Sequence, residues 1–173
     1  GWWEEQLLAE SGYRGDRTAD NLRQQPGDAG VNQLLAAVDS SHLKWLASLQ
    51  FGFIELDCAL IHGSSADVGD QLTEETSPLI LLDRLTRLDV NRLFTARSQR
   101  QFRLELTGGE LQSHVKDHAG ESDHQQAVPK RSVIGIGGHQ HYTVYDPATD
   151  RIEFLSAGES SKQPARRVGF GFG

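Results

Sequence analysis

Near residue 50 the hydrophobic period of this chain changes, and that switch constrains its fold more than any other feature. From 32 to 48, Leu34, Leu35, Val38, Leu43, Trp45 and Leu46 recur at the spacing of an amphipathic helix, with Ser40 and Ser41 as a point where it can split. Beyond 50 the apolar runs are short. Phe51, Phe53 and Glu55 alternate with Gly52, Ile54 and Leu56, and after Asp57 a second run carries Cys58, Ala59, Leu60, Ile61 and His62. Two such runs with an acid between them predict strands joined by a tight turn, the second ended by Gly63. Helices first and short strands afterwards describe an α/β chain with much antiparallel pairing.

The same signals place the remaining elements. Trp3, Leu7 and Leu8 with early acids predict a helix over 2–10, and the polar stretch 13–30, punctuated by Pro26 and Gly27, predicts a long loop. Pro78 opens a helix over 79–88. Strands are expected at 90–95 and 102–106, with a turn at 107–110 leading to a polar strand at 111–115. Further strands are expected at 132–137, 142–145 and 152–155, the last two joined by the hairpin 146–150. Residues 116–131 read as loop. A single domain over 1–157 and a flexible tail over 158–173, rich in Gly, Ser, Lys and Arg, complete the organisation. The inward positions Trp45, Leu46, Phe53, Ile54, Leu60, Leu93, Phe94, Ile134, Val144 and Phe154 are expected to be buried together.

Composition excludes several classes of function. Lys and Arg number 17 against 24 Asp and Glu, a formal charge of −7, which argues against nucleic-acid or anionic-membrane binding because phosphate affinity needs a cationic surplus. A single cysteine, Cys58, rules out an intrachain disulfide and a cysteine-rich zinc module. The longest apolar runs, such as 78–82, fall far short of the roughly 20 residues that span a bilayer, and no signal segment opens the chain, so a cytoplasmic location is expected. Methionine is absent even at position 1, and a start inside an amphipathic helix suits a partial chain.

Three clusters carry candidate chemistry. His62 ends a buried strand and is followed by Gly63, which puts an imidazole at the sheet rim, where sites are often built; the alternative is a histidine that only caps its strand. Gly138, His139, Gln140 and His141 form the second cluster, in which alternate positions of an extended segment would turn His139 and His141 toward one metal; the alternative is a glycine-rich turn with two exposed histidines. The third holds His114, Asp117, His118, Asp123 and His124, a zinc-like spacing without an apolar frame, which also suits a solvated loop. Ser64 and Ser65 lie next to His62 without the Gly-x-Ser-x-Gly elbow of a nucleophile. Gly135 to Gly138 lacks the Lys-Ser/Thr of a phosphate loop.

The order of these features resembles the calcineurin-like metallophosphoesterases, most closely bacterial and cyanobacterial members, over roughly residues 32–155. The helix carrying Leu43, Trp45 and Leu49 looks like the family's helix before its paired strands. The run Ala59, Leu60, Ile61, His62, Gly63 looks like the strand that ends in a metal-ligand His-Gly. The segments 142–146 and 151–154 look like the closing hairpin. The resemblance implies part of a four-layer αββα sandwich with mostly antiparallel C-terminal strands. It also implies a two-metal phosphoester hydrolase using manganese, iron or zinc, with His62 as a metal ligand and a phosphorylated small molecule as substrate.

Departures from the family pattern are as informative. Its Asp-x-His, Gly-Asp-x-x-Asp and Gly-Asn-His-Asp/Glu motifs are absent here. Where Gly-His-x-His is due, the sequence reads Ala96, Arg97, Ser98, Gln99. Arginine is permanently charged and binds no metal ion. The literal Gly138-His-Gln-His141 offers a rival alignment, but it abuts the closing hairpin. Two functions are therefore expected as alternatives. One is a metallophosphoesterase in the intact protein, with His62 and either His139 and His141 or Arg97 completing the site. The other is a catalytically degenerate binding or scaffold protein in which Arg97 and Arg100 hold a phosphate or carboxylate by bidentate hydrogen bonds.

Overall fold

The computed structural model describes residues 1–15, 20–24, 27–106 and 130–158. Four helices come first: α1 (Trp2–Glu10), α2 (Asp20–Gln24), α3 (Gly27–Ala37) and α4 (Ser40–Ser48). The expected long loop over 13–30 is therefore corrected. Leu22 and Val31 form a small buried pair that draws α2 and α3 together, a tertiary contact that local polarity hid. The helix expected over 32–48 splits at Asp39, whose carboxylate accepts the backbone N–H groups of Ser41 at 2.8 Å and His42 at 3.0 Å. Hydrogen bonds from the Ser41 hydroxyl first, then from these amides, hold the Asp39 carboxyl down to about 2. Its stabilisation of α4 is thus complete above its ordinary value near 3.8 and lost as pH falls through 2. Asp39→Ala should speed amide exchange along 41–48 selectively, and unchanged exchange there would contradict the cap.

The strands are β1 (Gly52–Glu55), β2 (Cys58–Ile61), β3 (Arg92–Thr95), β4 (Gln101–Leu106), β5 (Arg131–Ile136), β6 (His141–Asp146) and β7 (Arg151–Ser156), with helix α5 (Pro78–Thr86) between β2 and β3. Five of them form a mixed sheet in the order β1-β2-β3-β5-β4. Within it β2–β3 and β3–β5 are parallel, whereas β1–β2 and β4–β5 are antiparallel. The remaining pair, β6 and β7, makes a separate antiparallel hairpin. Leu56 and Asp57 join β1 to β2 with positive φ of 50° and 62°, a two-residue turn built without glycine. Its strain is offset by Asp57, which accepts the backbone N–H of Asn91 at 2.9 Å and its Nδ2 at 2.8 Å.

Strand alternation divides the core in two. Ala59, Ile61, Leu93 and Val133 share one cluster with Leu81 and Leu85 of α5. Cys58, Phe94 and Ile134 form the other, with Tyr145 and Ile152 of the hairpin packed against them. Asp150 fastens that hairpin to the sheet, accepting from Arg92 Nε at 2.8 Å, Arg103 Nη2 at 3.4 Å and Tyr145 Oη at 3.3 Å.

The expected core is corrected here. Leu93, Phe94 and Ile134 are buried, but Trp45, Phe53, Ile54, Leu60, Val144 and Phe154 are exposed. Two physical reasons account for Phe53, Leu60 and Val144. The hairpin roofs only part of its sheet face, which leaves β1 and the end of β2 open. Within β6 it is Tyr145, not Val144, that packs against the sheet. The expected turn at 107–110, the strand at 111–115, residues 116–129 of the expected loop and almost all of the tail lie outside the described residues, whereas Arg131, expected to end that loop, instead opens β5. Among the described residues no helix is long and apolar enough to cross a membrane.

Candidate functional site

Parallel pairing brings the C-terminal ends of β2 and β3 to one rim of the sheet. His62 follows β2, and Ala96 and Arg97 follow β3. The His62 carbonyl accepts both of their backbone N–H groups, at 2.9 Å from Ala96 and 2.7 Å from Arg97. The buried Thr95 hydroxyl donates to the Gly63 carbonyl at 2.7 Å and so locks the two strand exits together. Beyond Gly63, the Ser64 N–H bonds the Asp67 carbonyl at 3.0 Å. The fully buried Ser64 hydroxyl bonds the Asp70 carboxylate, which Arg84 Nε also meets at 2.8 Å. Ser65 donates to the Arg84 carbonyl at 2.9 Å. Both serines therefore hold the turn that carries His62.

Helix α1 closes the site from outside the sheet. Trp2 is buried, and the Arg97 guanidinium stands 4.5 Å from its ring centroid, a cation–π contact that fixes the arginine's plane. Arg97 Nε is buried with no hydrogen-bond partner among the described residues. Arg103 and Arg131 also have an unpartnered Nε, but Arg103 pairs elsewhere with Asp150 and Arg131 bonds Thr86. Arg97 has no ion pair among the described residues. Arg100 is turned away, toward Glu74 at 3.5 Å.

His62 is half-buried, and its surroundings favour the neutral imidazole. Burial lowers its pKa first, the amino terminus lowers it further, Glu4 opposes them, and Arg97 adds to the depression. Glu4 pairs with the amino terminus at 3.0 Å. Burial would raise its carboxyl, but that pair, its own backbone N–H and nearby positive charge bring it below its ordinary value. A neutral imidazole beside a fixed guanidinium suits an anionic ligand that accepts hydrogen bonds.

The structure brings His62 and Arg97 together but places His139 and His141 elsewhere. Residues 137–140 form a turn, with His139 at a φ of 56° and the His141 N–H bonded to the Gly138 carbonyl at 3.1 Å. His139 and His141 are therefore not alternate residues of one extended segment. His141 lies exposed with Nδ1 3.1 Å from Ser156 Oγ. His114, Asp117, His118, Asp123 and His124 lie outside the described residues. Among the described residues no group of three or more His, Cys, Asp or Glu could hold a metal ion. Of the carboxylates around the opening at His62, Glu5 pairs with Arg14 at 2.6 Å and Asp67 accepts the Gly69 N–H at 2.6 Å, so this donor set does not fit a divalent pair, which needs several free donors per ion. Sequence reasoning missed Trp2 and Glu4. It turned Trp3 inward, and nothing local showed that α1 would fold back onto the rim.

Two openings meet at His62. One is a pocket of about 360 Å³ lined by Glu4, Arg14, Phe51, Asp67 and others. The other is a cleft of about 650 Å³ between the sheet and the hairpin, lined by Phe53, Leu60, Phe94, Ile136 and Tyr145 among others.

Comparison with known proteins bears on the fold. No family model matches the chain, and no curated protein matches it by sequence. A metallophosphoesterase from Sphaerobacter thermophilus is similar in structure, with a TM-score of 0.53 and 18% identity over 77% of this chain and 57% of that one. A hypothetical protein from Pyrococcus horikoshii OT3 is similar at a TM-score of 0.57 and 10% identity, over 92% of this chain and 62% of that one. The chain thus has a mixed α/β fold distantly related to that of a metallophosphoesterase, and it spans about three fifths of these neighbours' lengths.

Proposed function

We propose that this protein recognises a phosphoester through an anion-holding rim formed by His62 and Arg97, as a catalytically degenerate binding or scaffold member of a metallophosphoesterase-like fold. The observation that carries this reading is the Arg97 guanidinium, stacked on Trp2, free of any ion pair among the described residues, and with Nε buried and unpartnered. A planar guanidinium held in this way offers paired N–H donors matched to two phosphate oxygens. His62, neutral and adjacent, supplies a further donor or acceptor. A cytoplasmic protein is consistent with the single free thiol, Cys58, which is buried.

Calorimetric titration with inorganic phosphate tests the proposal. The 173-residue protein should bind it, and Arg97→Gln should weaken binding by about tenfold or more, the loss expected when charged hydrogen bonds are removed. Equal affinity in the variant would contradict the reading.

A second reading is two-metal phosphoester hydrolysis by a longer polypeptide, with manganese, iron or zinc. It is favoured by the coverage of only 57% and 62% of the structural neighbours. His62 would then be one ligand, and the rest would come from residues outside this sequence. On the first reading the 173-residue protein turns over neither p-nitrophenyl phosphate nor its bis-ester in manganese. Turnover that is lost in His62→Ala would favour the second.

A further inference from the structure

The larger opening at His62 runs along the hairpin-facing side of the sheet. Phe53 pairs there with Leu60 and Leu60 with Phe94, so their side chains form one strip across three strands. The hairpin covers Phe94 but leaves Phe53 and Leu60 61% and 47% exposed. Thr143, Tyr145 and Pro147 wall the second side, which makes this a cleft rather than a flat face, and its 650 Å³ suits a small molecule.

The walls are apolar, and the charge they carry has one sign. Glu55 is the one acidic or basic residue other than His62 in the lining, and alternation along β1 puts it on the same face as Phe53. It marks the Cys58 end of the cleft, where the two residues pair, and its carboxylate has no hydrogen bond or ion pair among the described residues. Arginine charge is kept out. The Arg97 guanidinium stacks on Trp2, and Ala96 lines the cleft in its place. Arg92, 6.0 Å from the Tyr145 ring centroid, is neutralised by Asp150 at 2.8 Å and Asp57 at 3.6 Å. His62, at the opposite end, sits where burial favours the uncharged ring. An apolar body is thus attracted along the whole cleft, and a positive charge at one end of it.

We propose that this cleft binds a small hydrophobic amine, with its ammonium group against Glu55 and its apolar body lying along Phe53, Leu60 and Phe94 toward His62. Residues 58–62 extend about 13 Å at the rise of a strand. That length accommodates a body of roughly eight to ten carbons at C–C distances near 1.5 Å. The site makes no use of the Arg97 guanidinium, so it stands independently of phosphate binding at the rim.

Calorimetric titration of the 173-residue protein at pH 7 and low salt, below micelle-forming concentrations, tests one body with three charges: octylamine, octanol and octanoate. Octylamine, protonated at this pH as lysine is, should bind tightest and octanoate weakest, about tenfold apart, and added salt should narrow the gap. Hexylamine should bind about fifteenfold more weakly than octylamine, the fold-change of burying two CH₂ groups. Glu55→Gln, at an exposed position, should bring octylamine and octanoate to equal affinity and leave octanol unchanged. Phe53→Gln should weaken all three. Equal binding of the three by the parent protein, or tightest binding of octanoate, would overturn the inference, and so would affinity that ignores chain length or no binding of any of them. Neither variant touches Arg97, so phosphate binding at the rim is read separately from each of these outcomes.

Discussion

Leu93→Ala is expected to destabilise the protein by about 2–5 kcal/mol, the range for emptying a closely packed aliphatic site. Leu93 is fully buried in β3, between β2 and β5, and shares its cluster with Leu81, Leu85 and Val133. The same truncation at Leu60 should cost clearly less, because nearly half of that side chain is already in water. Urea melts of the two variants check the corrected core, with the slope unchanged so that the midpoints report stability. Equal losses would mean that the cleft face is covered as fully as the α5 face.

Gly63→Ala should be the most damaging single change at the rim. A Cβ at this position would overlap the Asp67 carbonyl oxygen and lie 2.5 Å from that of Val68. Both obstacles are backbone, so no flexible side-chain end can yield. Overpacking of this kind costs about 1–3 kcal/mol or more. The turn that presents His62 must also shift, so phosphate binding should fall together with stability. A variant that melts and binds like the parent would show that the turn is looser than its hydrogen bonds indicate. The glycine of the His62-Gly63 pair is thus required by close approach of backbone to backbone.

Much of the fold is legible in residue spacing. The switch of period near 50, the acid-bearing turn at Asp57, the proline that opens α5 and the closing hairpin around Asp150 are all local signals, and each lands on the observed element. What spacing cannot show is which layer covers which face. Phe53 and Leu60 alternate as buried strand residues do, yet they stay wet because the hairpin stops short of them. The short helices α2 and α3 were hidden because a polar sequence can be held by two buried residues, Leu22 and Val31. At the candidate site, the juxtaposition of His62 and Arg97 follows from strand ends that local sequence can place. The arrival of Trp2 beneath Arg97 is a long-range packing event that leaves no mark on residue spacing.

Joint binding of a phosphate by His62 and Arg97 should be visible in NMR of the His62 ring as a function of pH. In the free protein its titration midpoint should lie below 6.5, chiefly because burial disfavours the imidazolium, with the amino terminus and Arg97 adding positive charge against the opposing Glu4. The neutral ring therefore contributes stability that is present above 6.5 and lost as pH falls through the depressed midpoint. With saturating phosphate the midpoint should move upward, because an anion beside the ring stabilises its protonated form, and Arg97→Gln should abolish that movement. A midpoint that phosphate leaves unchanged in the parent protein would mean that no phosphate is held beside the ring.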